Sequence, residues 1–223
     1  MYFKALSMNS STEDLETLKD IKRIMERSSR FISLSGWSGI AAGVCALAGS
    51  LAARYRIRLY FKSEFSSGSS CPGCLKNDLI IIAAIVFVAA LVTASLFTYL
   101  QSKKQGVGIW GITARRLLWN TLLPMIAGAF LLWRMMEIKE YDLIAPSCLI
   151  FYGLALVNGS KYTMGEVRYL GYAEIILGII NLWLYHKGLL CWAIGFGVFH
   201  IIYGVTMWWK HERVDQNMMD REV

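Results

Sequence analysis

Six apolar runs set the plan of this chain. They cover residues 31–53, 79–100, 117–133, 141–157, 169–185 and 189–209, and polar connections separate them. A helix rises about 1.5 Å per residue, so about 20 apolar residues cross a hydrocarbon core of roughly 30 Å. The runs lack the period-two alternation of strands and are rich in Gly, Ala and Leu, which predicts helices. The last two meet at His186-Lys187-Gly188 and predict a hairpin. Tyr169, Tyr172 and Tyr185 flank one helix, and Trp208 and Trp209 close the other. Aromatic rings with one polar edge collect at the headgroup level. The predicted fold class is all-α: a polytopic membrane protein of six transmembrane helices in three hairpins, with a short cytoplasmic helix in front. Residues 1–30 form the lead and that helix, 31–211 the membrane domain, and 212–223 a tail.

Composition agrees with this plan. The chain has 223 residues, 56% of them hydrophobic, and a mean hydropathy of +0.44. No stretch remains for a soluble enzyme domain. The net charge of +7 comes from Lys and Arg at the ends of the apolar runs. That placement fits membrane topology and not a nucleic-acid surface. The expected surroundings are the lipid bilayer, with no nucleic acid. About 30 mostly polar residues precede the first run, which is not the form of a signal peptide. Of the 23 Lys and Arg, 15 fall in the N-terminus, the second and fourth connections and the tail. Both termini are therefore expected in the cytoplasm. The basic first connection, with Arg54, Arg56, Arg58 and Lys62, runs against that count.

Outside the runs, Ser10 and Glu13 form a capping box for a helix over 13–30. Leu15, Leu18, Ile21 and Met25 make one apolar stripe on it, suited to the bundle, a second copy of the chain or a protein partner. Within the first run, Gly39-x-x-x-Gly43 is a small-residue face that lets another helix approach closely. Pro124 lies inside the third run, where it predicts a kink and a freed carbonyl that neighbours must satisfy. Cys71-Pro72-Gly73-Cys74 sits in a Ser-rich connection. A loop-closing disulfide between Cys71 and Cys74 is the expectation if that side is periplasmic. No second Cys pair or nearby His completes a metal site, and Cys45, Cys148 and Cys191 read as small apolar residues. Gly106-x-Gly108-x-x-Gly111 follows a membrane helix and not a strand, so it reads as a loop and not a nucleotide site. No cofactor is expected.

The third and fourth runs resemble the fifth and sixth. Gly128 aligns with Gly178, and Gly153 with Gly204, at separations of 25 and 26 residues. These four are candidate helix-packing positions with Gly39 and Gly43. Both hairpins begin on the same side, so the repeat is parallel, and the first two runs are a candidate third copy. The alignment isolates two residues: Glu174 stands where the earlier hairpin has Pro124, and His200 where it has Leu149.

Glu174 and His200 are the most costly polar residues in the runs. Ionisable side chains at membrane depth usually face the bundle or a water-filled cavity. Depth along antiparallel helices brings Glu174 near Tyr203, with His200 about one turn deeper near Asn181. Two readings of a Glu174, His200, Tyr203 and Asn181 cluster stand side by side. It fixes helix pairing, or it relays a proton. The first fits a structural or regulatory membrane protein without enzymatic chemistry, acting through residues 13–30. The second fits a small proton-coupled transporter or channel.

Three segments carry a family likeness: 25–36 (MERSSRFISLSG), 114–120 (ARRLLWN) and 150–158 (IFYGLALVN). With them the chain resembles a family of six-helix integral membrane proteins from Bacteroidota to which no activity is assigned. The resemblance covers most of the chain. It implies a six-helix architecture in a bacterial inner membrane and supplies no catalytic residues. In hairpin pattern alone the chain is also similar to the HdeD-like membrane proteins.

Overall fold

The computed structural model describes residues 35–67, 72–105 and 111–212. The predicted helix over 13–30, Cys71 and most of the tail lie outside them. Every regular element among the described residues is helical. The elements are α1 (Gly36–Ser67), α2 (Pro72–Gln105), α3 (Ile112–Glu137), α4 (Ile144–Gly159), α5 (Glu166–Asn181) and α6 (Gly188–Lys210). Single 3-10 turns, Tyr141–Leu143 and Ser160–Tyr162, flank α4. Five helical stretches are long and apolar enough to cross a membrane: those of α1, α2 and α3, Tyr141–Tyr162 around α4, and α6.

The boundaries correct the predicted ones. The first helix does not stop at 53 but continues through Arg54, Arg56, Arg58 and Lys62. Arg, Leu, Tyr and Lys are compatible with a helix, and no Gly or Pro stands there to end it. The second helix starts at Pro72, a residue suited to a first turn. The long Ser-rich connection predicted over 63–77 is thus mostly helix. The fifth helix runs from 166 to 181 and not from 169 to 185. Turns over 182–187 follow it, with His186 left-handed at φ 61°. At 16 residues it is shorter than the five stretches that are long enough to cross a membrane.

The side chains are sorted in the reverse of a water-soluble core. Ser35, Ser38, Ser50, Ser102, Ser147, Thr163, Glu174, Asn181 and His200 are buried, whereas Ile85, Phe87, Leu91, Leu96, Trp119, Leu123, Phe130 and Trp133 are exposed. Water would penalise such a surface, and lipid does not. Inside lipid, apolar burial gives helices little reason to associate, so close packing must supply it.

That packing is concentrated at two joints. At the first, α1 crosses α6. A Cβ on Gly36 would stand 2.5 Å from the Gly204 carbonyl, and one on Gly204 would stand 2.5 Å from the Gly36 carbonyl. A Cβ on Gly43 would stand 2.7 Å from both the Gly197 carbonyl oxygen and the Ile201 side chain, and one on Gly39 would lie against Tyr203. At the second, α5 crosses α4. A Cβ on Gly153 or on Gly171 would stand 2.7 or 2.8 Å from the other's carbonyl oxygen, and one on Gly178 would stand 2.7 Å from Ile150 and 3.0 Å from the Pro146 carbonyl. The joints correspond residue for residue. Gly36, Ile40 and Gly43 against Gly197, Ile201 and Gly204 repeat Gly171, Ile175 and Gly178 against Pro146, Ile150 and Gly153. Gly128 of α3 sits under Phe151 of α4, so it packs within its hairpin, unlike its sequence partner Gly178.

Helix α3 continues through Pro124 without a break. Proline has no amide hydrogen for the carbonyl four residues back, which is that of Asn120. Asn158 of α4 fills the place, donating from Nδ2 to the Asn120 oxygen at 2.7 Å. On the other flank α2 packs along α1, where Val86 lies against Gly49.

Two predictions follow from this packing. Gly204→Ala is expected to lower unfolding stability in detergent by about 1–3 kcal/mol through overpacking. Gly165→Ala, with open space around it, is expected to change stability by no more than about 0.5 kcal/mol. Thermal unfolding read by fluorescence-detected size exclusion compares the two. Asn158→Ala is expected to cost about 1 kcal/mol, and less when Pro124→Ala restores the missing amide. A double-mutant cycle with no coupling between the two sites would contradict the account of α3.

Candidate functional site

Helices α5 and α6 bring two ionisable side chains together inside the bundle. Glu174 is fully buried and His200 is 6% exposed. Glu174 Oε1 lies 3.5 Å from His200 Nδ1. The imidazole is held at both nitrogens. Its Nδ1 is 3.1 Å from the Gly195 carbonyl oxygen, and its Nε2 is 2.7 Å from the Tyr152 hydroxyl. A carbonyl only accepts, so Nδ1 carries the hydrogen, and Nε2 accepts from the Tyr152 O–H. The tautomer is assigned from these partners.

Backbone shape makes this arrangement. Residues Ala193–Phe199 form a π-helical segment, a form that recurs at functional sites. Its wider turn sets residue 200 so that the ring folds back on the carbonyl five positions earlier. Gly195 also clears the space that the carboxyl needs. A Cβ there would collide with Glu174 Oε2 and stand 2.5 Å from the Leu149 side chain. Phe196 lies against both rings, at 4.9 Å from Tyr152 and 6.0 Å from His200 between centroids.

A cavity of about 410 Å³ adjoins the Tyr152–His200 pair. Ser38, Gly39 and Ala42 of α1, Ala94 of α2, Ala114, Leu117 and Thr121 of α3, Ala155 and Gly159 of α4 and Leu170 of α5 line it, with Tyr152, His200 and Tyr203. Its volume is within the range of about 300–1,000 Å³ common for small-molecule sites. Among the described residues no Lys, Arg, Asp or Glu contributes to the wall. The lining comes from the beginnings of α1, α3 and α5 and the later halves of α2, α4 and α6. The cavity therefore occupies one half of the bundle.

The chain matches no protein-family model, no curated protein and no solved structure.

The four residues expected to cluster are only partly together. Glu174 and His200 meet. Asn181 is buried at the end of α5, seven residues beyond Glu174 on the same face, and its amide has no hydrogen-bond partner among the described residues. Tyr203 is among the lining residues, but its hydroxyl is buried and likewise without a hydrogen-bond partner, as are both oxygens of Glu174. Tyr152 takes the position beside His200 that the depth estimate gave to other residues. A signal for it was present in the repeat: Tyr152 and Tyr203 each immediately precede a matched glycine, Gly153 and Gly204.

Cys74 lies at the opposite end of α2 from Ala94, which lines the cavity. Cys74 is disulfide-bonded and stands in the first turn of α2, while Cys45, Cys148 and Cys191 are free thiols. Among the described residues no three His, Cys, Asp or Glu side chains converge as a metal centre requires.

Gly195→Ala tests the carboxyl's place. It is expected to destabilise the protein by about 1–3 kcal/mol, and Glu174→Ala in the same chain is expected to recover part of that loss. Unfolding midpoints of the two single variants and the double variant give the coupling. Strict additivity would mean that the carboxyl does not press on Gly195.

Proposed function

We propose that this protein is a multi-pass protein of a bacterial inner membrane that conducts protons, as a channel or as the carrier of a small solute, and not as an enzyme. One observation supports this reading above the others. A chain of groups leads from the cavity wall through the Tyr152 hydroxyl and the His200 ring to the carboxyl of Glu174. An imidazole passes protons because it has two nitrogens. A proton arriving at Nε2 forms the imidazolium, and the hydrogen on Nδ1 then leaves for Glu174 Oε1, 3.5 Å away. The ring is left protonated on Nε2. Net movement then requires that Glu174 release its proton on the side away from the ring, and that the ring recover its hydrogen on Nδ1 by rotation or tautomer exchange. A purely structural cluster would pair the carboxyl fully, and both oxygens of Glu174 lack a hydrogen bond.

In this reading the chain crosses the bilayer six times as three hairpins. Helix α5 makes the fifth crossing, about 24 Å by its 16 residues, and the exposed Trp183 and Tyr185 after it reach the interface. The distribution of Lys and Arg puts both termini in the cytoplasm. The cavity then belongs to the cytoplasmic half, the half in which Arg115, Arg116, Lys161 and Arg168 stand at the ends of α3, α4 and α5. The likeness to inner-membrane proteins of Bacteroidota agrees with that location.

Purified protein in vesicles loaded with a pH-sensitive dye tests the proposal under an imposed membrane potential. Native protein is expected to admit protons faster than protein-free vesicles. Glu174→Gln, which keeps the side chain's shape, is expected to return the rate to the protein-free leak. A native rate equal to that leak, or an unchanged rate in Glu174→Gln, would overturn the relay.

A further inference from the structure

The proton relay uses the two nitrogens of the His200 ring, and hydrogen-bonding groups meet both of them. Aromatic rings gather around the same imidazole. Phe196, four residues earlier on α6, lies nearly parallel to it, with an interplanar angle of 17° and 6.0 Å between centroids. Tyr152 of α4 stands 5.4 Å from the imidazole and 4.9 Å from Phe196. Trp192, four residues earlier again, stands 5.1 Å from Phe196. Trp192, Phe196 and His200 therefore form one column of rings along α6, joined from the side by Tyr152.

Such a column does more than fill space when the ring it holds becomes charged. An aromatic face is negative, and it attracts a cation within about 6 Å of its centroid, most strongly where water is excluded. Here His200 is only 6% exposed. A neutral imidazole gains little from these faces, whereas an imidazolium gains their full attraction. Stabilisation confined to the charged intermediate is the kind that speeds a transfer. Of the neighbouring helices, α5 brings the carboxyl of Glu174 and α4 the hydroxyl of Tyr152 to the ring nitrogens. Helix α1 meets this stretch of α6 with Gly39 and Gly43, which carry no charge.

We infer that Phe196 and Tyr152 form an aromatic cage that stabilises the His200 imidazolium while a proton is in transit. Tyr152 also holds a ring nitrogen, so Phe196 is the member whose role is the cage alone. It is a positioning residue: it acts through His200 and holds no proton itself. This rests on the reading of Glu174 and His200 as a relay, and it adds the residue that sets the rate of passage.

Fluorination tests the cage with little change in packing. Phe196 of the full-length protein is replaced by mono-, di- and trifluorophenylalanine, in which each fluorine drains negative charge from the ring face. Proton entry into vesicles is expected to slow stepwise, by about 5- to 30-fold across the series, the span of one desolvated cation–π contact. Phe196→Tyr, which keeps a ring face, is expected to stay close to the native rate, and Phe196→Leu to be at least as slow as the trifluoro protein. Nitrogen-15 spectra of the His200 ring in nanodiscs give a second readout that needs no flux. At one fixed acidic pH, the imidazolium share is expected to shrink with each fluorine. A role in packing alone predicts a native rate and a native imidazolium share throughout the fluorinated series, and either result overturns the cage. Native protein that conducts no protons, with an imidazolium share that still follows the fluorine count, removes the relay and leaves the cage. Native protein that conducts at a rate indifferent to fluorine removes the cage and leaves the relay.

Discussion

Backbone held against backbone is the constraint on which the rest of this bundle depends. Lipid tails are as apolar as leucine, so helices in a membrane gain little by hiding leucine from them. What they gain by meeting is van der Waals contact, which needs small residues at the crossing. Gly36 with Gly204 and Gly153 with Gly171 bring main chains so close that a single methyl group would meet a carbonyl oxygen. These crossings hold α6 on α1 and α5 on α4. The positions of His200 and Glu174 follow, because each lies within one turn of a crossing glycine on its own helix.

The polar interior is organised on the same frame. A buried polar group in hydrocarbon must find its partner within the protein. Asn158 and the Asn120 carbonyl show this satisfied: a side chain on α4 supplies the donor that Pro124 withholds. Tyr152, His200 and the Gly195 carbonyl show it again around one imidazole. Glu174, Tyr203 and Asn181 show it left open. The open groups share one helix pair, α5 and α6.

Much of this could be read from the chain before any coordinates. The apolar runs marked the helices, since length and continuous hydrophobicity are set by bilayer thickness. The glycine at 204 and the pairing of Glu174 with His200 were visible through the repeat and the cost of charge at depth. Other features were hidden for physical reasons. Helix ends slipped because Arg and Lys at 54–62 continue a helix as readily as they stop a membrane crossing. The partners of each glycine were hidden because a repeat shows which residues are equivalent and not which helix each one meets. Gly36-x-x-x-Ile40-x-x-Gly43 and Gly171-x-x-x-Ile175-x-x-Gly178 share one spacing. Aligning α1 with α5 by that spacing would have exposed the second joint. Tyr152 was missed because depth was counted along α5 and α6 alone, whereas the imidazole reaches sideways to α4. The π-helical segment leaves no plain trace in residue type apart from Gly195 and Gly197.

The central claim is that Glu174 and His200 share a proton across 3.5 Å. Infrared difference spectroscopy in nanodiscs tests it most directly, with Glu174→Gln identifying the carboxyl stretch of Glu174. The account predicts that this band changes intensity as pH is varied in the native protein, and that His200→Phe shifts the pH range of that change. A Glu174 band that stays constant with pH, or one that responds identically without the imidazole, would contradict it.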